Sequence, residues 1–301
     1  MIIIVSHYHL TGAGRSPMTS YNYIMNVMSF VEFTYKDNIP NDFYKDIKAT
    51  HVNKYIASLR TRDINGKTER TSDSFRAVQW SSLNSFFQFL IPEHIKENPV
   101  SYTNRPKMKD KPNVTYLTGD EISSLLQYVE RNASDKLVNR DLCWLKLGFS
   151  TGLRVSAILQ IDIDDIDFEN NQIKVTEKGD YDEYVMFGEN LKTQLLSCIR
   201  DRKQICDNIS TNALFVSQIG NRLSVDMLAK TLRQYAQNVT SKNVTPHVMR
   251  HSCATNLYEK TGDIYLCSKQ LNHKNVATTM RYAEISKEKQ RAATNILDGL
   301  I

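Results

Sequence analysis

The spacing of apolar residues in the first hundred positions predicts a helical domain. Apolar residues recur there at close to a helical period in three stretches, at about 18–33, 50–60 and 72–90. Thr19 or Ser20 is expected to cap the first helix, because a side-chain oxygen there can accept a hydrogen bond from a free amide of the first turn. The apolar stripe of this helix is predicted to be Tyr21, Ile24, Met25, Met28, Val31 and Phe33.

Two other segments of this region have different patterns. Residues 60–70 are polar and include Gly66, which predicts a loop. A short fourth helix is expected to follow Pro92 and to stop before Pro99, since proline ends helices.

Proline and charge divide the chain into two domains. Residues 1–17 are mixed in character and are predicted to form a flexible arm. The stretch 104–114 has two prolines and four basic residues, which is typical of an extended linker. The chain is therefore predicted to consist of an N-terminal helical domain, 18–103, and a C-terminal domain, 115–301.

The second domain shows helix signals with a small amount of β structure. Thr118 and Glu121 have the spacing of a capping box that opens a helix, and a helix at about 135–150 is expected to end at Gly152. The β-prone runs are 172–176, 183–187 and 213–217. The first two are expected to pair as a hairpin around Lys178. The predicted fold class is mainly α with a small antiparallel sheet.

Composition describes a globular protein with a charge imbalance between its parts. Of 301 residues, 41% are hydrophobic and 24% charged, and no apolar run reaches the length of a membrane span. The opening residues do not have the features of a signal peptide, so a cytoplasmic location is expected. The five cysteines lack metal-binding spacing and are predicted to be reduced.

The net charge of +5 arises in the N-terminal part of the chain. Residues 1–115 hold 15 of the 38 basic residues and 10 of the 33 acidic ones, so the remainder is electrically balanced. This asymmetry is expected if the N-terminal domain grips a phosphate backbone.

One stretch near the C-terminus, 245–282, concentrates the residues suited to chemistry. His247 and Arg250 are three positions apart and so share a helix face, and His273 and Tyr282 follow. A guanidinium can clamp a phosphate with two hydrogen bonds, and an imidazole can donate another. This cluster suits the attack of a phenolic oxygen on a phosphodiester whose charge is held by fixed cations.

Together with the segment Ser150-Thr151-Gly152-Leu153-Arg154-Val155-Ser156 about ninety residues upstream, this stretch resembles the tyrosine recombinase, or phage integrase, family. The resemblance covers roughly residues 20–290. It implies a SAM-like helical core-binding domain, then a catalytic domain, which together form a C-shaped clamp on duplex DNA. The lack of room before residue 18 for a separate arm-binding domain favours a simple Xer-like or invertase-like enzyme.

The resemblance also assigns roles to individual residues. In the family two arginines hold the non-bridging phosphate oxygens, two histidines donate further hydrogen bonds, and a hairpin lysine protonates the leaving 5′-oxygen. Lys174 is the fallback for that lysine, and His251 is a supporting residue. Attack by the tyrosine would give a 3′-phosphotyrosyl ester and a 5′-hydroxyl, with no metal, ATP or other cofactor. The implied catalytic set is Arg154, Lys178, His247, Arg250, His273 and Tyr282.

Two positions depart from the family pattern. The acidic residue three positions after the first arginine is replaced by Ala157, so the site must be braced by another group or be looser. The glycine before the second histidine is replaced by Asn272, which tolerates a left-handed backbone better than most residues.

The expected partner is double-stranded DNA. Four protomers would pair two sites and exchange strands through a Holliday junction, with the tail 286–301 docking on a neighbouring protomer and accessory DNA-bending or directionality proteins as further partners. The candidate DNA-binding residues are Lys54, Arg60, Arg62, Lys67, Arg70, Arg76, Lys107, Lys109 and Lys111.

Two alternatives stay open on the sequence. A type IB topoisomerase shares the phosphotyrosine chemistry, and a degenerate relative would bind DNA without cleaving it, for which Ala157 is the hint. The sequence leaves open the DNA target and whether the reaction is integration, excision, inversion or resolution.

Overall fold

The structure is a computed structural model of the chain. The chain divides into two compact units, Met1–Pro112 and Asn113–Ile301. The residues that the structure describes are 14, 16–36, 38–64, 66–107, 115–177 and 181–271. Most of the predicted linker and all of the predicted C-terminal tail therefore lie outside the described residues.

The N-terminal unit is a helical domain with one β-hairpin. Short 3₁₀ turns occupy Phe43–Lys45 and Pro99–Tyr102. Its regular elements are α1 (Pro17–Tyr35), α2 (Ala49–Ser58), β1 (Thr61–Ile64), β2 (Lys67–Arg70) and α3 (Asp73–Leu90).

Helix α1 begins earlier than predicted, and its buried face is different. Ser16 caps it by accepting a hydrogen bond from the Thr19 amide at 3.3 Å, and Pro17 takes the first helical position, where its missing N–H costs nothing. The predicted caps Thr19 and Ser20 are inside the helix, so that prediction was wrong. Four residues of the predicted stripe are exposed: Tyr21, Met25, Met28 and Phe33. Val31 is buried as predicted, and it packs on α3 together with Val27 and Phe30, which the predicted stripe did not include.

The segment predicted to be a loop at 60–70 is an antiparallel hairpin. Ile64 pairs with Lys67, which leaves the Asn-Gly dipeptide as a two-residue turn. Gly66 has φ of +78°, and its amide donates to Asp63 Oδ1 at 2.8 Å. The loop prediction was wrong because that dipeptide is itself a strong hairpin signal.

The predicted fourth helix between Pro92 and Pro99 is also absent. Residues 91–94 form turns, and the 3₁₀ turn begins only at Pro99. Asn98 caps that turn by accepting from the Val100 amide at 2.9 Å, and Trp80 Nε1 donates to Thr103 Oγ1 at 2.7 Å. These bonds fix the path of the chain as it leaves the N-terminal unit.

The C-terminal unit is mainly helical around one small sheet. A 3₁₀ turn, Ile163–Asp165, precedes the first strand. Its regular elements are α4 (Gly119–Asn132), α5 (Val138–Thr151), α6 (Val155–Gln160), β3 (Ile166–Asp167), β4 (Gln172–Glu177), β5 (Tyr181–Met186), α7 (Glu189–Ile205), α8 (Val225–Ala236), α9 (Pro246–Thr261) and α10 (Ile264–Gln270).

The sheet is antiparallel in the order β3-β4-β5, with Gln172 opposite Met186 and Lys174 opposite Tyr184. The predicted third strand at 213–217 is wrong. That segment makes isolated bridges, Ala213 with Asp162 and Val216 with Arg222, and the third strand is the two-residue β3.

Helix α5 is the centre of the C-terminal core. Trp144, Leu145 and Leu147 are all fully buried on it. Asp141, also fully buried, accepts hydrogen bonds from Trp144 Nε1 at 2.9 Å and from Tyr235 Oη at 2.7 Å, and it pairs with a guanidinium of the same helix at 2.8 Å. As predicted, this helix ends at Gly152, which has φ of +66°. The residues of the candidate site follow directly after it. No helix among the described residues is long and apolar enough to cross a membrane.

Candidate active site

The start of α9 positions two of the predicted catalytic residues. Thr245 caps the helix by accepting from the Val248 amide at 3.3 Å, and Pro246 occupies the first helical position. His247 is exposed in the first turn, whereas Arg250, one turn later, is only 6% exposed. The two residues therefore lie about one turn apart on one helix, with the histidine exposed and the arginine buried.

Arg250 joins three separate segments of the C-terminal unit. Its Nη1 donates to the Gly152 carbonyl oxygen at 2.7 Å, and its Nη2 donates to the Leu271 carbonyl oxygen at 2.5 Å. These bonds connect α9 with the turn before α6 and with the end of α10. Because carbonyl oxygens carry no net charge, the bonds orient the guanidinium without cancelling its charge. A fixed cation of this kind suits the stabilisation of a phosphoryl-transfer transition state.

Gly152 is required at this junction for two reasons. Its left-handed backbone, at φ of +66°, favours glycine. A Cβ there would lie 2.6 Å from Leu271 Cδ2 and 3.1 Å from Cys253 Sγ. The close approach of Gly152 to Leu271 brings together the two carbonyl groups that hold Arg250.

Arg154 lies two residues beyond Gly152, at the N-cap position of α6, and its side chain is exposed. Ala157, the position where the family has an acid, is buried on the same helix at 7% exposure. A carboxylate at this position would need a hydrogen-bonding partner or a counter-ion. Arg154 therefore follows the turn whose carbonyl group binds Arg250, and Ala157 places a methyl group where the family has an acidic side chain.

The two candidate lysines are placed differently. Lys178 lies outside the described residues. Lys174 on β4 forms an ion pair with Asp182 on β5, with Nζ and Oδ2 at 2.9 Å. The hydrogen bond with Asp182 raises the pKa of Lys174, and the same bond lowers the pKa of Asp182. Since a raised pKa makes an ammonium a weaker proton donor, the pair disfavours Lys174 as the general acid.

His273, Asn272 and Tyr282 also lie outside the described residues. The chain is described up to Leu271, which is buried and whose carbonyl oxygen holds Arg250. His251, the predicted supporting residue, is half-buried on α9. The structure therefore bonds Arg250 both to the turn two residues before Arg154 and to Leu271, two positions before His273 in the sequence, with His247 on the same helix as Arg250.

Cys253 contributes packing at this junction. Burial raises the pKa of its thiol to about 12, although the positive charge of Arg250 acts in the opposite direction. The thiol is therefore neutral at physiological pH and is not a nucleophile.

The N-terminal unit contains a basic cleft, a cavity of about 570 Å³. It brings together four of the candidate DNA-binding residues, which are far apart in the sequence. The lining residues are Arg60, Thr61, Arg70, Asp73, Arg76, Pro106 and Lys107. The hairpin β1–β2 makes this possible, because Thr61 pairs with Arg70 and the Thr71 amide donates to the Arg60 carbonyl oxygen at 2.9 Å.

Asp73 in the basic cleft was missed by sequence reasoning. It pairs with Arg76 one turn later on α3, and the two side chains are only 21% and 14% exposed. Its position in the first turn after the Ser72 cap could have suggested the pair, since carboxylates are favoured there. Asp73 thereby orients Arg76 within the cleft.

Of the other candidate DNA-binding residues, only Lys54 has a side chain that the structure describes, and it does not line the cleft. Lys54 is exposed on α2. Arg62 and Lys67 are on the hairpin strands, and only their backbones are described. Lys109 and Lys111 lie outside the described residues.

The orientation of Arg250 by the turn that precedes Arg154 suits the binding of a phosphoryl group. Comparison with known proteins gives the family. The model of the phage integrase family matches residues 115–289. The tyrosine recombinase XerD of Oceanobacillus iheyensis is 30% identical over 284 residues, which span 93% of this chain and 92% of that protein. The tyrosine recombinase XerC of Vibrio cholerae is 30% identical over 231 residues, 76% of this chain and 73% of that protein.

The chain belongs to the phage integrase family, the tyrosine recombinases, as the resemblance implied. It is a site-specific DNA recombinase, and DNA is its partner.

Solved structures confirm the fold. The XerH recombinase bound to difH before cleavage has a TM-score of 0.71 at 22% identity, covering 94% of this chain and 80% of that one. A lambda integrase dimer bound to a COC′ core site has a TM-score of 0.69 at 19% identity, covering 93% of each chain. The predicted fold class, mainly α with a small antiparallel sheet, is confirmed.

Proposed function

We propose that Tyr282 is the nucleophile of this recombinase and that Arg154, Arg250, His247 and His273 hold the scissile phosphate. The observation that carries the proposal is the placement of Arg250. Its guanidinium is bound by carbonyl groups of the Arg154 turn and of the segment leading to His273. Arg250 is thus bonded to the turn that precedes Arg154 and to the last described residue before His273.

The chemistry proceeds by two ester exchanges. The Tyr282 oxygen attacks phosphorus, a P–O bond to tyrosine forms, and the P–O5′ bond breaks. The tyrosine loses its proton, and the leaving 5′-oxygen gains one from Lys178. Attack by a 5′-hydroxyl of the partner strand then releases the tyrosine, so no bond energy is lost and no ATP is consumed.

The arginines act on charge and geometry. Arg250 is already oriented by its two carbonyl partners, so little reorganisation accompanies the transition state. Arg154 is exposed and approaches the phosphate from the start of α6. Loss of one such donor typically costs about 10²–10³ in rate, because the charge on the non-bridging oxygens is no longer fully held.

The N-terminal unit is proposed to supply backbone affinity through its basic cleft. Arg60, Arg70, Arg76 and Lys107 converge there with one acid, Asp73, so the cleft has a surplus of positive charge. A convergent basic surface suits phosphates, because binding releases condensed counterions from the duplex. Its boundary with the catalytic unit is proposed to be the linker 104–114.

Assembly of four protomers on two paired sites completes the proposal. The tail 286–301, which ends in the largely apolar run 296–301, is proposed to dock on a neighbouring protomer, and accessory DNA-bending or directionality proteins would act on the assembled complex. The support is the family itself, together with a relative solved as a dimer on its core site.

Covalent trapping tests the proposed nucleophile. The protein is incubated with labelled, nicked duplexes that cover the DNA around its own gene, and the products are separated on a denaturing gel. We expect a slower-migrating adduct with the native chain and none with Tyr282→Phe.

Tyr265→Phe is the matched control, because Tyr265 is a nearby tyrosine that is 61% exposed on α10. An adduct that persists in Tyr282→Phe would contradict the proposal. Binding without any adduct would favour the degenerate relative, and adducts on every supercoiled plasmid would favour a topoisomerase.

A further inference from the structure

The segment that follows the linker is fastened to the catalytic helix. Leu117 is fully buried; its amide donates to Ser252 Oγ at 2.8 Å, and its carbonyl oxygen accepts from Asn256 Nδ2 at 2.8 Å. Both polar backbone atoms of Leu117 are thus bonded to side chains of α9, more than 130 residues further along the chain.

Tyr116 adds two hydrogen bonds to this attachment, one through its backbone and one through its side chain. Its carbonyl oxygen accepts from Lys242 Nζ at 2.9 Å, and its hydroxyl donates to Glu259 Oε1 at 3.0 Å. Lys242 also pairs with Glu121 at 2.6 Å, so the start of α4 is held with it. The first residues described after the linker are therefore bound at several points along α9.

Ser252 is fully engaged by this arrangement. Its hydroxyl donates to the Val248 carbonyl oxygen at 2.7 Å and accepts from the Leu117 amide, and the side chain is fully buried. Asn256 Nδ2 donates both to Leu117 and to the Ser252 carbonyl oxygen, the latter at 2.7 Å. Each residue binds the helix and the linker exit at the same time.

These two residues lie on the opposite side of α9 from the catalytic pair. At 3.6 residues per turn, Ser252 and Asn256 are about 200° and 240° around the helix from Arg250, whereas His247 is about 60° from it. Arg250 is held on its own side by the Gly152 and Leu271 carbonyls. The helix is thus fixed between the active-site junction and the exit of the linker.

We propose that Ser252 and Asn256 are positioning residues, which transmit the position of the linker exit to His247 and Arg250. The inference rests on the proposed role of His247 and Arg250 at the phosphate. Leu117 is the first buried residue that the structure describes after the linker, so its bonds make the orientation of α9 depend on where the chain enters the C-terminal unit.

The test separates binding from cleavage in the full-length chain. The variants are Ser252→Ala, which removes the acceptor, and Asn256→Asp, whose carboxylate cannot donate to the Leu117 carbonyl. Thr261→Ala is the matched control, because the Thr261 hydroxyl donates to the Leu257 carbonyl oxygen at 2.8 Å and accepts from the Asp263 amide at 3.2 Å, and neither bond involves the linker exit. Each variant is assayed for Kd on a nicked duplex and for the single-turnover rate of adduct formation at saturating DNA.

We expect Ser252→Ala and Asn256→Asp to slow adduct formation by about tenfold or more while Kd changes less than about twofold, because a small misplacement of reacting groups is costly. Thr261→Ala should change neither. The inference would be overturned if Ser252→Ala and Asn256→Asp formed the adduct as fast as Thr261→Ala does. A loss of rate that disappears on cooling to a temperature at which the variants are as fully folded as the native chain would also overturn it.

Hydrogen exchange of the free protein provides a readout that needs no activity. Amides of residues 247–251 should exchange faster in Ser252→Ala and Asn256→Asp than in Thr261→Ala. If the native chain forms no adduct, the proposed function fails and exchange alone decides. Unchanged protection at 247–251 would then overturn the positioning role.

Discussion

Gly152 provides the sharpest test of the active-site junction. In Gly152→Ala the new Cβ would lie 2.6 Å from Leu271 Cδ2 and 3.1 Å from Cys253 Sγ, with the backbone at φ of +66°. The left-handed backbone costs an alanine about 1–2 kcal/mol. Overpacking against the buried Leu271 adds about 1–3 kcal/mol. The expected total loss in the free energy of unfolding is about 2–5 kcal/mol, from these two terms.

Gly262→Ala is the matched control. Gly262 also ends a helix in the left-handed region, at φ of +68°, but a Cβ there would meet nothing within 4 Å. It should therefore show the backbone cost alone, about 1–2 kcal/mol. The difference between the two variants isolates the close approach of Gly152 to Leu271.

Urea unfolding followed by fluorescence measures this difference. The chain has two tryptophans, and Trp144 is fully buried in the C-terminal core. A Trp80→Phe background makes its signal specific for that unit. Equal midpoints for Gly152→Ala and Gly262→Ala, at equal slopes, would refute the reasoning. Gly152→Ala should also slow adduct formation, because the Gly152 carbonyl oxygen accepts a hydrogen bond from Arg250.

Three further predictions follow from other contacts. Asp141→Asn leaves a buried guanidinium without its counter-ion and should cost about 3–5 kcal/mol in urea unfolding. Arg200→Gln should cost at most about 1 kcal/mol, because the Arg200 side chain is 70% exposed and its buried partner keeps hydrogen bonds from two neutral side chains. Arg70→Gln should reduce the slope of log K against log salt for DNA binding by about 0.9, and Lys45→Gln, outside the basic cleft, should leave it unchanged. Burial raises the pKa of Glu121, but hydrogen bonds from a lysine and from the capping amide outweigh it and lower the pKa below 4.5. Glu121 therefore stabilises the fold above that value and loses its contribution as the pH falls through its lowered pKa. Unfolding midpoints of Glu121→Gln should fall less on acidification than those of the native chain, and equal declines would contradict the assignment.

Local signals in the sequence predicted much of the fold. The Thr118–Glu121 capping box and the glycine at the end of α5 are present as expected, because both depend on neighbouring residues alone. The buried face of α1 was predicted correctly only at Val31. Apolar residues surround this helix, so only packing on α3 selects Val27 and Phe30 as its other buried residues. The hairpin at 61–70 was missed because its strands are polar, although the Asn-Gly dipeptide between them is a hairpin signal in the sequence.

The candidate site divides in the same way. The motifs identified Arg154, His247 and Arg250 from the sequence, yet Arg250 is held by backbone carbonyls, which every residue has and no sequence pattern marks. The bonds of Leu117 to α9 could not be predicted either, because they use its backbone amide and carbonyl. The basic cleft required the hairpin, since only its pairing brings Arg60 and Arg70 together.

The most direct test of the central claim is peptide mapping of the trapped adduct. The covalent complex is digested with nuclease and protease, and the modified peptide is sequenced by mass spectrometry. We predict that the peptide contains Tyr282 and carries a nucleotide through its 3′-phosphate, with a 5′-hydroxyl on the released strand. A nucleotide on any other residue, or a link through a 5′-phosphate, would contradict the proposed mechanism.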